Sequence, residues 1–484
     1  MSPFVESVVA AVRGVVGQGP VALHEPAFQG NEWAYVKECL DTGWVSSVGK
    51  FVDRFEHDLA SYTGAGYAVA VVNGTAALQV ALTVSGVRAG DEVLVPAMSF
   101  VATANAVCHA GAQPHFVDSD EDTLGMSMPA LEAHLDEIVE MREGKAFNRH
   151  TGRRLAAVVP MHTFGHPVDL SSLAAIADRY GLAVVEDAAE SLGSYFDGRH
   201  TGTFGRCGVL SFNGNKIITT GGGGAILTDD AELARRAKHL TTTAKAPHRW
   251  SFSHDEIAFN YRLPNLNAAL GCAQLEQVGA FLAGKRRLAE RYETAFADLS
   301  GVTFVKERAG TQANYWLQTL LLDVDHAVYR DDLLAALNDA GPCRLLNHWL
   351  SASSIFPAVP GWLMAETIIL VGAGGHARAC IDVIEQGGQY AIRGLVDNSP
   401  TLRGERIFGY PVLGSDADLP SLLADCRRVL ICVGQIETPT IRRRLFEYLY
   451  EQGAELPCIV SPYAALSPHA TLSQGVMVGH GAIV

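Results

Sequence analysis

Short apolar runs alternate with helix-like stretches from about residue 60 to residue 230. Tyr67-Ala-Val-Ala-Val-Val72 leads into residues 76–85, where Leu78, Ala81 and Leu82 recur at helical spacing. Further apolar runs follow at 92–96, 115–117, 155–159, 182–187, 207–212 and 225–227, several of them separated by helical patterns such as 170–180. Strand–helix alternation of this kind predicts an α/β fold, a mostly parallel sheet covered by helices on both faces.

From about 240 to 360 the helical patterns at 267–278 and 331–340 predict a smaller α+β domain. Residues 350–361, frequent in Ser, Pro and Gly, read as a linker. A fresh strand pattern at 366–371 opens a second α/β unit that runs to about 456. In the last stretch, Ala465, Ala470, Val476, Val478 and Ile483 recur at short intervals, the pattern of a parallel β-helix with fewer rungs than such a repeat needs. The expected division is 1–240, 241–362, 363–456 and 457–484.

Composition changes this picture mainly by exclusion. A chain of 484 residues exceeds one hydrophobic core, and 48% hydrophobic with 18% charged residues describes a globular protein. The net charge of −15 argues against a nucleic-acid partner, which needs clustered Lys and Arg; Arg442-Arg-Arg444 reads as a solvated helix face. Nine cysteines without a Cys-x-x-Cys pair point to reduced thiols and a cytoplasmic location. The first residues lack a signal-peptide profile, and no apolar run reaches the ~18 residues of a membrane span. No His or Cys cluster has metal-ligand spacing, so no metal site is expected.

Chemistry concentrates in Ser211-Phe-Asn-Gly-Asn-Lys216 and the four glycines 221–224 that follow. A lysine held beside a carbonyl becomes a covalent catalyst, and glycines let the backbone approach a bulky ligand. The run 182–187 ends in Asp187. An acid at one strand end and Lys216 beyond the next strand suit pyridoxal phosphate, the acid holding the pyridine nitrogen and the lysine the aldehyde. Gly74, Thr75 and Ala76 stand at a strand-to-helix junction, where free amides and the Thr75 hydroxyl form a phosphate cradle or an ordinary helix cap. Phe100 is placed either to stack on the ring or as a core aromatic.

On these residues, with Gly43–Gly49, Asn73–Leu78, Glu186-Asp-Ala-Ala-Glu190 and Asn260-Tyr-Arg262, the span 22–330 resembles the DegT-type nucleotide-sugar aminotransferases of the aspartate-aminotransferase fold (fold type I). His24-Glu-Pro and 31–52 are similar to enzymes of the legionaminic acid and bacillosamine pathways, which aminate C4 of a UDP-linked 4-keto-6-deoxy-N-acetylhexosamine. The resemblance implies Lys216 as Schiff-base lysine and proton shuttle, Asp187 on the pyridine nitrogen, and Gly74, Thr75 and Ser211 on the phosphate. Glu190 takes the place where a Gln or His usually faces the 3-hydroxyl. Asn260 is implied to reach the phosphate of a neighbouring subunit in a homodimer, and Arg262 to meet the carboxylate of L-glutamate. Phe164 stands where relatives carry Tyr and is given no role. The family's dehydratase branch, which has His in place of the lysine, is disfavoured by Lys216.

In the second unit, Gly372-Ala-Gly374-Gly-His376-Ala377 fits a dinucleotide fingerprint, with Asp397 placed for a ribose, so NAD binding and an oxidoreductase are one reading. The wider sequence resembles the N-terminal domain of PglD-like sugar acyltransferases, which implies a UDP-sugar site at Gly374, His376 and Asp397. That family's catalytic histidine has no counterpart at His376, His469 or His480, so acetyl transfer is not expected of this chain alone. The aminotransferase resemblance fades near Phe356, and Met364 has the look of a second protein's start. The sequence thus reads as two pathway enzymes joined, each shortened at its C-terminus, with an inactive sugar-binding scaffold as the alternative to an active enzyme.

Overall fold

The computed structural model describes residues 2–18, 21–339, 366–387, 390–434 and 440–461, then 464, 467, 470, 472–479 and 482. The expected linker at 350–361, Phe356, the junction at Met364, His469 and His480 lie outside the described residues. The chain forms two compact units, Met1–Ala352 and Ser353–Val484.

The first unit opens with α1 (Pro3–Val16), α2 (Glu32–Thr42) and α3 (Lys50–Thr63) and then builds a seven-stranded sheet. Its strands are β1 (Tyr67–Val71), β2 (Glu92–Pro96), β3 (Gln113–Val117), β4 (Leu155–Val158), β5 (Ala183–Asp187), β6 (Cys207–Ser211) and β7 (Gly224–Thr228). The order across the sheet is β1-β7-β6-β5-β4-β2-β3. Strand β7 runs antiparallel to both its neighbours and the other pairings are parallel. Every apolar run read as a strand in this region is one.

The period-two alternation of a strand sorts side chains between two cores. Val69, Val71, Val209 and Ile226 point into one, shared with α4 (Gly74–Val84), α5 (Val101–His109) and the helix Ala231–Thr241. Ala68, Ala70, Leu210, Ala225 and Leu227 point into the other, under α3 and α6 (Asn265–Leu275). Alanines on that second face let the helices lie close. At Gly208 even a methyl is too much, because a Cβ there would sit 2.0 Å from the Gly202 carbonyl oxygen. Gly208→Ala should therefore cost about 1–3 kcal/mol by overpacking, read as a lowered Tm.

A third cluster joins α1 to α7 (Val278–Phe296), β8 (Val302–Phe304), β9 (Leu320–Leu322) and α8 (Arg330–Asp339). Two helices thus lie across the boundary expected at residue 240. The N-terminal α1 packs with residues 289–337, and α6 packs with the large sheet's helices.

The second unit has a five-stranded sheet. Its strands are β10 (Glu366–Val371), β11 (Tyr390–Val396), β12 (Arg406–Ile407), β13 (Tyr410–Gly414) and β14 (Val429–Ile431), in the order β12-β13-β11-β10-β14. Only β12 is antiparallel. Helix α9 (Gly375–Gly387) follows the glycine loop. Beyond it, β15 (Ile459–Val460) pairs in parallel with β16 (Met477–Val478), so Ile459 meets a residue 18 positions later, the spacing of one coil of a β-helix. No helix among the described residues is long and apolar enough to cross a membrane.

Four histidines of the first unit, His24, His134, His166 and His200, are held near pKa 4 by burial. His134 also shares a 2.8 Å contact between ring nitrogens with His115. A folded-state pKa below the unfolded value of about 6.5 means the unfolded chain binds more protons in between. Stability should therefore fall as pH drops from about 6.5 to about 4, measured as the first unfolding midpoint against pH. His134→Gln should flatten that slope.

Candidate active site

The carboxyl ends of the parallel strands converge on one cavity of about 290 Å³, the expected ligand position for an open α/β sheet. Its lining draws Gly74 and Thr75 from the start of α4 beyond β1, Phe100 from the turn after β2, Met161 after β4, Asp187 from the end of β5 with Glu190 beyond it, and Ser211 from the end of β6 with Lys216 beyond it. Trp316 and Leu317 close it from the region between α7 and α8. Seven residues expected at the site from sequence are thus brought together.

Lys216 sits in a tight loop. Its amide donates to the Asn213 carbonyl, the Thr220 amide donates to the Phe212 carbonyl, and the Phe212 amide donates to the Gly223 carbonyl. Its ammonium donates to Glu190 Oε1 at 3.1 Å and lies 3.9 Å from the centre of the Trp316 ring. The indole is pinned in turn, with Nε1 donating to the Asn215 carbonyl at 2.6 Å and its amide to Asn314 Oδ1 at 2.8 Å. The Lys216 amine is therefore held between a carboxylate and an aromatic face, with its side chain only 12% exposed.

Asp187 lies at the end of β5, buried between β4 and β6. Its Oδ2 accepts from the Thr103 hydroxyl at 2.6 Å and its Oδ1 from the Ala189 amide at 3.2 Å. Burial nevertheless pushes its carboxyl above the ordinary range, against the pull of Thr103 and of the Lys216 charge. Glu190 is raised by burial too, although it accepts from Lys216 and, through Oε2, from the Phe164 amide at 2.9 Å. Phe164 holds a left-handed φ of +54° to make that bond. So Phe164, given no role from sequence, contributes its main chain. Two buried carboxylates against one lysine leave the site short of positive charge at Asp187.

At the other end, Asn73 caps α4 by accepting from the Ala76 amide at 2.8 Å. Ala76 itself does not line the cavity, and its amide is engaged in that cap. The amides of Gly74 and Thr75 belong to the first turn and have no acceptor within the helix, which makes them anion donors. A Cβ on Gly224 would lie 2.6 Å from the Asn73 carbonyl carbon, and one on Gly74 would lie 3.1 Å from Ser211 Cβ. Gly224→Ala should therefore push the cradle apart, seen as cofactor lost on gel filtration and a Tm drop of the size that about 1–3 kcal/mol produces.

Asn260 and Arg262 do not reach the cavity within one chain. Asn260 is exposed and bridges to Thr242, while Arg262 pairs with Val71 and keeps a buried Nε without a partner. Sequence reading missed Trp316, Asn314 and Thr103. Thr103 lies in the same run as Phe100. Trp316 follows Tyr315 in a stretch with no strand or helix period to draw attention to it. Among the described residues, His239, Asp255 and Glu256 bring ligand atoms within 4.8 Å of one another. Arg236 already pairs with both Glu256 oxygens, so the group is an ion-pair network.

In the second unit, Gly372 has φ +108° and a Cβ there would meet Cys432 at 3.0 Å, so the fold itself requires that glycine. Gly374 is exposed and open on its Cβ side, and His376 is half-buried on the first turn of α9. Asp397 accepts from the Ala373 amide and from the Ser399 amide, each at 2.8 Å. A ribose would have to share a carboxylate already engaged in closing the glycine loop.

The first site fits pyridoxal phosphate. It offers free first-turn amides and Ser211 for a phosphate, a half-exposed Phe100 face for a ring, a cation-deficient Asp187 for a protonated ring nitrogen, and an amine for an aldehyde. Residues 367–449 match the PglD N-terminal domain. The chain is 39% identical over 303 residues to EpsN of Bacillus subtilis (strain 168), covering 63% of this chain and 75% of that protein. It is 35% identical over 319 residues to the GDP-perosamine synthase of Vibrio cholerae, covering 66% and 82%. The solved aminotransferase TlmJ from Streptoalloteichus hindustanus is 32% identical and superposes with a TM-score of 0.59 over 66% of this chain and 82% of that one. Residues 26–349 match the DegT/DnrJ/EryC1/StrS aminotransferase family, and the chain is a pyridoxal phosphate-dependent sugar aminotransferase belonging to it.

Proposed function

We propose that the chain transfers the amino group of L-glutamate to C4 of a UDP-linked 4-keto-6-deoxy-N-acetylhexosamine. The observation that carries the chemistry is the Lys216 amine, held between Glu190 and Trp316 in the cavity that Asp187 also lines. Pyridoxal phosphate, when bound, supplies an aldehyde that a primary amine captures and a ring that takes up the electrons left by deprotonation.

The protein's part is positional and protonic. Gly74, Thr75 and Ser211 hold the phosphate, and Phe100 covers one ring face. Asp187 stays ionised beside a protonated ring nitrogen, because that cation offsets the burial that otherwise raises its carboxyl. With the cofactor bound, the free Lys216 amine would carry a proton from the donor α-carbon to the cofactor carbon that takes the amino group, and in the second half-reaction from that carbon to C4 of the acceptor. Glu190 and Trp316 keep the free amine beside that path and exclude water. Arg262 lies outside the cavity within one chain, so its proposed contact with the donor carboxylate requires a second copy.

A second copy of the chain is part of this reading. Asn260 is exposed, as are the large apolar residues Trp33, Trp44, Trp250 and Phe252, and the proposed homodimer has Asn260 complete the neighbouring phosphate site. Gly374, His376 and Asp397 are the proposed contacts of a UDP-sugar in the second unit. The test is product mass spectrometry with glutamate and either a UDP-linked or a GDP-linked 4-keto-6-deoxy sugar. A GDP-linked acceptor is the second reading, favoured by the relative named GDP-perosamine synthase. A UDP-4-amino sugar as the preferred product supports the first reading, and preference for the GDP acceptor replaces it.

A further inference from the structure

A second cavity, of about 460 Å³, adjoins the first at two points along the chain. Leu23 and Lys216 line the first cavity, whereas the next residues, His24 and Ile217, line the second. Into it comes Lys285 from α7. Its ammonium donates to the Trp316 carbonyl at 2.8 Å and makes no ion pair among the described residues. His24 lies close enough to Lys216 and Lys285 for both charges to lower its pKa. Glu25 is the one carboxylate on the lining, and it too has no ion pair among the described residues.

Burial holds Lys285 down at about pKa 8. Burial holds His24 at about 4, and the Lys285 charge adds to that. Lys285 is half-buried, with one main-chain acceptor and no anion beside it among the described residues, so a ligand that brings negative charge would offset its desolvation. Here two basic groups, one of them anchored to the Trp316 carbonyl of the active-site wall, line one open space.

We propose that this cavity is an anion-recognition pocket in which the Lys285 ammonium, beside the hydrogen-bonding His24 imidazole, receives the phosphate groups of a nucleotide-activated sugar acceptor; the inference rests on the nucleotide-sugar reading above. The donor's α-carboxylate is a less suitable occupant. It is bonded to the carbon whose proton Lys216 removes, so it must stay in the first cavity. Lys285 approaches from behind the main chain of Trp316 and suits an acceptor whose charged portion lies several bonds from its reacting carbon. A point-charge ammonium binds phosphate well, and the compensating charge strengthens as water is excluded.

The experiment uses the full-length holoenzyme with inorganic pyrophosphate as probe, by calorimetry and as an inhibitor of the acceptor half-reaction. Wild type should bind pyrophosphate, more weakly as pH rises through about 8. Lys285→Met should weaken that binding at least tenfold, and Lys285→Arg should retain most of it. His24→Gln, which leaves the Trp316 anchor in place, should weaken it by a smaller factor. In stopped-flow absorbance, Lys285→Met should raise the acceptor concentration needed for half-maximal return of the cofactor band by tenfold or more, while the glutamate-driven loss of that band changes less than threefold. Equal damage to both half-reactions, damage confined to the glutamate step, or pyrophosphate binding indifferent to Lys285 would overturn the proposal. If wild type binds pyrophosphate through Lys285 yet aminates no nucleotide-linked sugar, the pocket stands and the substrate reading fails.

Discussion

Lys216→Ala should lower transamination by at least about 10³-fold, measured as 2-oxoglutarate formed from glutamate. Loss of a positioned proton-transfer group alone accounts for roughly 10²–10⁴-fold, and the same substitution removes the amine proposed to capture the cofactor aldehyde. Lys216→Arg should fare no better. A guanidinium preserves the charge opposite Glu190 and the contact with the Trp316 ring, but it cannot be neutral and so serves neither as nucleophile nor as base. The pair of variants separates charge from chemistry: activity retained in Lys216→Arg would mean that the lysine acts only as a counter-ion. In Lys216→Ala, Glu190 loses its cation and its already raised carboxyl moves further up, so that variant should hold Glu190 neutral at higher pH than wild type does.

Asp187→Asn should lower kcat by about 10²–10³-fold, the cost of deleting one preorganised electrostatic partner. The same change should leave the Tm of the cofactor-free protein unaltered or higher. Asp187 is buried and its carboxyl is raised, so the fold pays to keep a charge there and an isosteric amide removes that cost while still accepting from Thr103. An ordinary structural carboxylate would behave in the opposite way, with stability lost and turnover spared. Measuring kcat and Tm on the same preparations decides between them.

How much of this was legible in the sequence depends on the kind of interaction. The strands of the large sheet were, because buried parallel strands are written as local apolar runs, and 182–187 carries both the strand and its terminal acid. Lys216, Asp187, Gly74, Thr75, Ser211, Phe100 and Glu190 were legible as well, because each sits where a strand ends and the sheet gathers such ends at one edge. Trp316 was not, since its meeting with Lys216 depends on how residues 313–317 fold back across 100 positions of chain. Neither was the position of α1, whose valines Val5, Val8, Val12 and Val15 announce an apolar face but not the partner it covers. Ala76 shows the reverse case. It stands at the strand-to-helix junction as expected, but its amide donates to the Asn73 side chain. In the second unit the glycine fingerprint predicted a loop correctly, whereas Asp397 turned back onto that loop, a hydrogen bond no spacing rule contains.

The most direct measurement is borohydride reduction of the purified protein with pyridoxal phosphate, followed by proteolysis and peptide mass spectrometry. The account predicts one pyridoxyl group, on Lys216, and none after incubation with excess glutamate. A label on Lys285 or another lysine, or no covalent label at all, would contradict it.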